Sequence, residues 1–186
     1  AITRTNPATG WIYFKDNLQL TPEALFHQHK QAFALNADDE MRFDRSMEMH
    51  LTGMQQYKYQ QYYKNIKVHG AVANLYLKDG IVVKANGRLV HDLHKNTIPS
   101  IGEDKALASV LAHLPANDYG WTDIRYIERY RKSKKDPAAD PSPHGELMFM
   151  YKRERSGYSA EDYRLCWKFD VPMTRSTSYT VFVDAE

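Results

Sequence analysis

The chain is nearly free of cysteine. Cys166 is the only one in 186 residues, so no intrachain disulfide can form. It sits between Leu165 and Trp167 in an apolar run and reads as a buried, inert thiol. Scarce cysteine neither establishes nor excludes export. No apolar run approaches the roughly 20 residues of a membrane-spanning helix, so no membrane association is expected. Charge of one sign is also lacking. Twenty-five Lys and Arg against 23 Asp and Glu leave +2, too little for the basic face that a nucleic-acid partner requires. The chain opens on Ala1 rather than Met, so any signal peptide is expected to have been removed or to lie outside this sequence.

Catalytic signatures are absent too. The sequence contains no His-Glu-x-x-His, Gly-x-Ser-x-Gly elbow, Cys-x-x-Cys pair or glycine-rich phosphate cradle. The nearest metal-like string, His91-Asp92-Leu93-His94, spaces its imidazoles so that a strand or loop does not converge them. His27 and His29 stand two apart on an expected helix and face different ways. Asp38-Asp39-Glu40 reads as a solvated loop. No catalytic residue, metal ligand or cofactor is therefore expected.

What the chain does have is 42% apolar residues, enough for a core, and thirteen tyrosines concentrated in strand-like runs. Residues 1–20 read as a polar N-terminal arm whose aromatic segment Trp11, Tyr13, Phe14 docks on the first domain. Thr21-Pro22-Glu23 starts a helix expected to reach Phe33 or Ala34. Met41 to Leu51 alternates as a strand with one face buried, so Met47 and Met49 are expected in the core. Gly53 turns the chain into a strand over Gln55–Tyr63. Asp79-Gly80 is a short hairpin signal before Ile81-Val82-Val83. Asn96–Pro99 breaks the pattern, giving domains at 21–98 and 99–186. Ser100 and Glu103 fit a capping box. The helix that follows carries Leu107, Val110, Leu111 and Leu114 on one stripe, and Pro115 ends it. Ile124–Tyr130, Leu147–Lys152, Tyr163–Val171 and Tyr179–Asp184 all read as strands. The basic run Arg129, Arg131, Lys132, Lys134, Lys135 and the prolines after it read as a solvated hairpin loop, and Glu154–Asp162 as another. The fold class expected is α+β, with two domains that are each an antiparallel sheet curled around one helix.

Two segments resemble known modules. Gln60-Gln61-Tyr62, Lys64-Asn65, Val68, Gly70-Ala71 and Asp79-Gly80 are similar to the propeptide module of the fungalysin and thermolysin metallopeptidases. The helix ALASVLAHL, a basic-aromatic strand, Arg164-Leu165-x-Trp167 and the closing Val183-Asp184-Ala185 resemble a PepSY domain. The resemblance implies two cystatin-like domains. It also implies the propeptide of a secreted or periplasmic thermolysin-like metallopeptidase, acting as chaperone and inhibitor of its own catalytic domain and monomeric when isolated. The candidate partner-binding residues are Tyr62, Tyr63 and Arg164, with Asp184, Ala185 and Glu186 beginning the exit toward the active-site cleft. Tyr62 and Tyr63 should face opposite ways. Gly70, Gly80 and Gly87 are expected to be structural. Two other readings stay open: a free-standing exported module that holds a peptidase in trans, and an enzyme using His91 or His94 as base.

Overall fold

A computed structural model describes residues 2–6, 10–15, 19–114, 119–152, 159–174 and 178–186. Parts of the expected arm (7–9 and 16–18), Pro115 and residues 154–158 of the Glu154–Asp162 loop fall outside the described residues. The fold is mixed α+β, with mostly antiparallel strands and, among the described residues, three α-helices. The chain divides into two compact units: residues 1–95 with 151–163, and residues 96–150 with 164–186.

The first unit is built on β1 (Ile2–Asn6), β2 (Trp11–Phe14), β3 (Asp39–Met49), β4 (Met54–Tyr63), β5 (Ile66–Lys78) and β6 (Ile81–Arg88), in the order β1-β2-β6-β5-β4-β3. Every pairing is antiparallel. The expected arm is therefore a strand, β1, paired with β2, which in turn pairs with β6. Helix α1 (Pro22–Gln28) lies on one face of the sheet. Thr21 caps it through its hydroxyl, which accepts from the Ala24 N–H at 3.3 Å, and Pro22 fills the first turn. The helix is shorter than expected. It breaks at His29 into a 3₁₀ turn over Lys30–Phe33, closed by Ala34 at φ 49°. Leu25, Phe26, Phe33 and Leu35 bury against Tyr59, Ala73, Leu75, Leu77, Val82 and Ala85.

Strand β3 departs from its expected pattern for a definable reason. A bulge between Phe43 and Arg45 adds a residue, and side-chain alternation reverses there. Phe43 opposes Tyr59 on the helix-bearing face, whereas Met47 and Met49 oppose Gln56 and Met54 on the other. Met47 is 59% exposed and Phe43 54%, so this strand does not bury one face and Met47 is not core filler.

The second unit holds β7 (Gly145–Tyr151), β8 (Tyr163–Pro172) and β9 (Ser178–Asp184), in the order β7-β8-β9, with the last residue of β7 and the first of β8 counted with the first unit. Helix α2 (Glu103–His113) packs Ala106 and Val110 on Phe169, Val171 and Met173, flanked by Leu107, Leu111, Leu114 and Trp167. The expected capping box is absent, because Gly102 is the N-cap. The Glu103 carboxylate instead accepts from the Gly145 N–H at 2.6 Å, and the Ser100 hydroxyl donates to the Ala185 carbonyl at 2.9 Å. A capping box does form at Ser159–Asp162, around the short 3₁₀ turn Ala160–Asp162.

The largest correction concerns Ile124–Tyr130. This segment is no strand but the front of helix α3 (Ile124–Lys134), with Asp123 as N-cap accepting from the Arg125 N–H at 2.7 Å. Tyrosine and isoleucine favour strands, but Tyr126 and Tyr130 stand one helical turn apart with rings stacked at 6.3 Å. The basic run is likewise helix rather than hairpin loop. Its last turn carries Arg131, Lys132 and Lys134, where cations complement the negative end of the helix dipole. Among the described residues the second unit thus carries two α-helices, not one.

Candidate partner-binding site

The middle of the first unit is a long antiparallel ribbon, and its turns follow from local backbone chemistry. Lys64 and Asn65 adopt φ 45° and 69°, Asp79 and Gly80 φ 52° and 79°. Positive φ at both central residues gives the twist that matches two right-handed strands. Between these turns the ribbon is interrupted. Gln60 pairs Val72 but Tyr62 pairs Lys67, so β5 carries a wide bulge at Val68–Ala71. The Gln60 side-chain amide lies 2.6–3.0 Å from the carbonyls of Val68, Ala71 and Gln61 and donates to groups the ladder leaves free. The Tyr163 hydroxyl donates to the His69 carbonyl at 3.1 Å, and the Tyr151 ring lies beside Gly70.

Gln61 ties the ribbon to its surroundings. Fully buried, it donates to Asp39 Oδ1 at 2.9 Å and to the Val90 carbonyl at 2.8 Å, and it accepts from the Val90 N–H at 2.9 Å. Asp39 is itself 1% exposed, its other oxygen accepting from the Asn36 N–H at 2.9 Å. The expectation of a solvated carboxylate at Asp39 is therefore wrong. It opens β3 inside a satisfied hydrogen-bond network, which offsets the cost of burying a carboxylate.

The candidate residues fall in different settings. Tyr62 is half-buried, with the Arg42 guanidinium 4.1 Å above its ring. Arg42 also pairs with Glu40 at 2.6 Å, which holds the Glu40 carboxyl below its usual range. Tyr63 faces the other way and is 2% exposed, so it offers no surface. Gly80 closes its turn at positive φ. Gly87 has no room for a side chain, since a Cβ there would stand 2.2 Å from the Val72 carbonyl oxygen. Gly70 adopts φ 73° inside the bulge.

In the second unit Arg164 pairs with Glu186 at 3.1 Å, and the Glu186 carboxylate also accepts from the Leu165 N–H at 3.2 Å. Ala185 is fully buried; its N–H donates to the Leu165 carbonyl and its carbonyl accepts from the Ser100 N–H. Asp184 Oδ1 accepts from the Glu186 N–H at 2.9 Å. These three residues are stitched to β8 rather than leading away from it.

Sequence reasoning missed a surface. The sheet face of the first unit opposite α1 carries Met47, Lys58, Asn74, Tyr76, Lys84 and Trp11, as the strand registers show. Lys84 Nζ sits 4.8 Å from the Trp11 ring centroid and 5.2 Å from that of Tyr76, and Asn74 bonds Asn86 across the strands at 3.1 Å. Aromatic rings, amides and half-exposed cations on a rigid sheet suit recognition of a protein surface. The bulge at Asp44 put this face out of reach of a period-two reading.

Among the described residues no cluster of three His, Cys, Asp or Glu side chains is arranged to hold a metal ion. His91 contacts the Ala34 carbonyl through Nδ1 at 3.3 Å. Burial pushes the Cys166 thiol up to about 11, away from the thiolate that nucleophilic chemistry requires. No helix among the described residues is long and apolar enough to cross a membrane.

Residues 45–89 match the family model described as the fungalysin/thermolysin propeptide motif. The match covers roughly a quarter of the chain, running from the β3 bulge through the Gln60–Gln61 ribbon to the end of β6. No curated protein matches the chain. The motif supports a propeptide of a thermolysin- or fungalysin-like peptidase, and with it a non-catalytic role beside that peptidase's own domain.

Proposed function

We propose that the chain is the propeptide of a secreted, zinc-dependent thermolysin-like peptidase, acting on its catalytic domain as folding template and inhibitor. The observation that carries this reading is the motif match over 45–89, which coincides with the most tightly specified part of the first unit. The partner-facing surface is the sheet face bearing Met47, Tyr76, Lys84 and Trp11, with Tyr62 at its margin. A preformed surface that binds the native peptidase stabilises that state by mass action. Such a template matters most for proteases whose persistence is kinetic rather than thermodynamic.

The first unit, with α1 its single α-helix among the described residues, supports a cystatin-like reading of that half. The second unit is read as PepSY-like. Arg164-Leu165-x-Trp167 on β8 lies beside Val183-Asp184 on β9, and the Trp167 indole donates to the Ile101 carbonyl at 2.9 Å. In this reading Arg164, Asp184, Ala185 and Glu186 brace the exit toward the peptidase and do not themselves enter its cleft.

The test is titration of the separately refolded cognate peptidase domain with the chain while peptide hydrolysis is followed. Saturable inhibition supports the reading. Binding without inhibition and without any gain in refolding yield would favour a free-standing module that holds a peptidase in trans.

A further inference from the structure

Helix α3 has a charge distribution that its own fold does not explain. It holds five Lys or Arg against one Glu, a net +4 in a chain whose total is +2, so everything outside it is net negative. Several cations elsewhere find carboxylate partners: Arg42 with Glu40, Lys58 with Asp44, Lys64 with Asp38, Lys168 with Asp170. Among the described residues, none of the cations of α3 forms an ion pair.

The helix dipole accounts for part of this. Arg131, Lys132 and Lys134 occupy the last turn, where positive charge is favourable. It does not account for Arg125, which lies in the first turn beside the positive end of the dipole, nor for Arg129 one turn on. Arg125, Arg129 and Lys132 stand at helical spacings of four and three, so they share one exposed stripe. Like charges at such spacing repel.

We propose that this stripe is a docking site for an acidic protein surface. The chemistry favours protein over lipid or nucleic acid. A membrane-surface helix needs a free apolar face. In α3, Tyr126, Ile127 and Tyr130 are half-buried, with Tyr126 lying against Gly120, and the single largely exposed apolar residue, Ile124, is not a face. Arg129 also stands on the rim of a hollow of about 450 Å³ floored by Tyr126, Tyr130 and Met173, so that an apolar side chain and a carboxylate can be taken together. A nucleic acid would meet net negative charge over the rest of the chain. On the propeptide reading the acidic surface belongs to the peptidase domain, but the site itself rests only on α3.

The experiment compares the full chain with R125Q/R129Q/K132Q, and with R4Q/K15Q/K78Q, which removes equal charge from scattered exposed positions. Circular dichroism confirms that each is folded. Binding to polyglutamate, to phosphatidylserine vesicles and to duplex DNA is measured at moderate salt. The expected result is polyglutamate binding that is about tenfold weaker in the α3 variant, the loss three surface ion pairs give, and nearly unchanged in the scattered variant. Equal losses in both variants overturn the proposal, as does preferential binding of vesicles or DNA or no binding at all. Polyglutamate binding that depends on α3, in a chain that fails to inhibit its cognate peptidase, removes the propeptide reading and leaves the α3 site standing.

Discussion

The ribbon of β3–β6 and helix α3 are both rich in tyrosine and charge, yet they are organised on opposite principles. In the ribbon every notable polar group is answered locally. Gln60 closes the bulge, Gln61 joins Asp39 to Val90, and Arg42 meets both Glu40 and the Tyr62 ring. In α3 no residue is fully buried and, among the described residues, no carboxylate answers its cations: Arg129 and Arg131 donate to the Arg125 and Ala139 carbonyls, and Lys134 lies over the Tyr130 ring. A region satisfied from within is specified by its own fold. A region whose charges repel one another is specified by something outside it.

The sharpest way to break this comparison is at Gln61. Gln61→Ala strands the Val90 N–H and carbonyl and removes a donor from Asp39, all buried. Each unsatisfied group costs about 1–3 kcal/mol, so a loss of about 3–5 kcal/mol is expected in urea unfolding. A loss below about 1 kcal/mol would mean that water replaces the amide and that the network is not structural. Gly80→Val should cost about 1–2 kcal/mol, because its φ of 79° suits no residue with a branched Cβ. Lys78→Ala, at the exposed end of β5, should be neutral within about 0.5 kcal/mol, and equal melting temperatures for these two would refute the turn assignment.

A smaller effect is expected from Asp170. The Lys168 ammonium at 2.8 Å, and then the Thr180 hydroxyl, hold its carboxyl below the usual range. A depressed folded value contributes stability that is present above about pH 4 and is lost as pH falls through the folded value. Because the group is largely exposed, the contribution is under about 1 kcal/mol. Asp170→Asn should therefore lower stability slightly at neutral pH and flatten the acid limb of the stability curve. Smallest of all is R125Q/R129Q/K132Q, which should leave stability unchanged or raise it by about 0.3 kcal/mol through relieved repulsion. A clear destabilisation would show that α3 is held by its cations after all.

What was legible in the sequence follows the same division. The helix start at Thr21-Pro22, the Asp79-Gly80 turn, the stripe on α2 and strands β4, β8 and β9 are all set by local chemistry, and each was readable. The β3 bulge was not, because one inserted residue reverses alternation without altering composition. The buried pair Gln61–Asp39 was not, because a polar residue in a strand shows its burial only through partners distant in sequence. Helix α3 was misread because Tyr126, Tyr130 and Ile127 have strand preference. Asp123 as N-cap, with apolar residues at 124, 127 and 130, was the signal for helix.

The most direct test of the central claim is inhibition of the cognate peptidase domain by the whole chain. A propeptide should inhibit at micromolar concentration or below, equivalent to about −8 kcal/mol or tighter, and should raise the refolding yield of the denatured domain. Full hydrolytic activity at about 100 μM chain, with the refolding yield unchanged, would contradict the account.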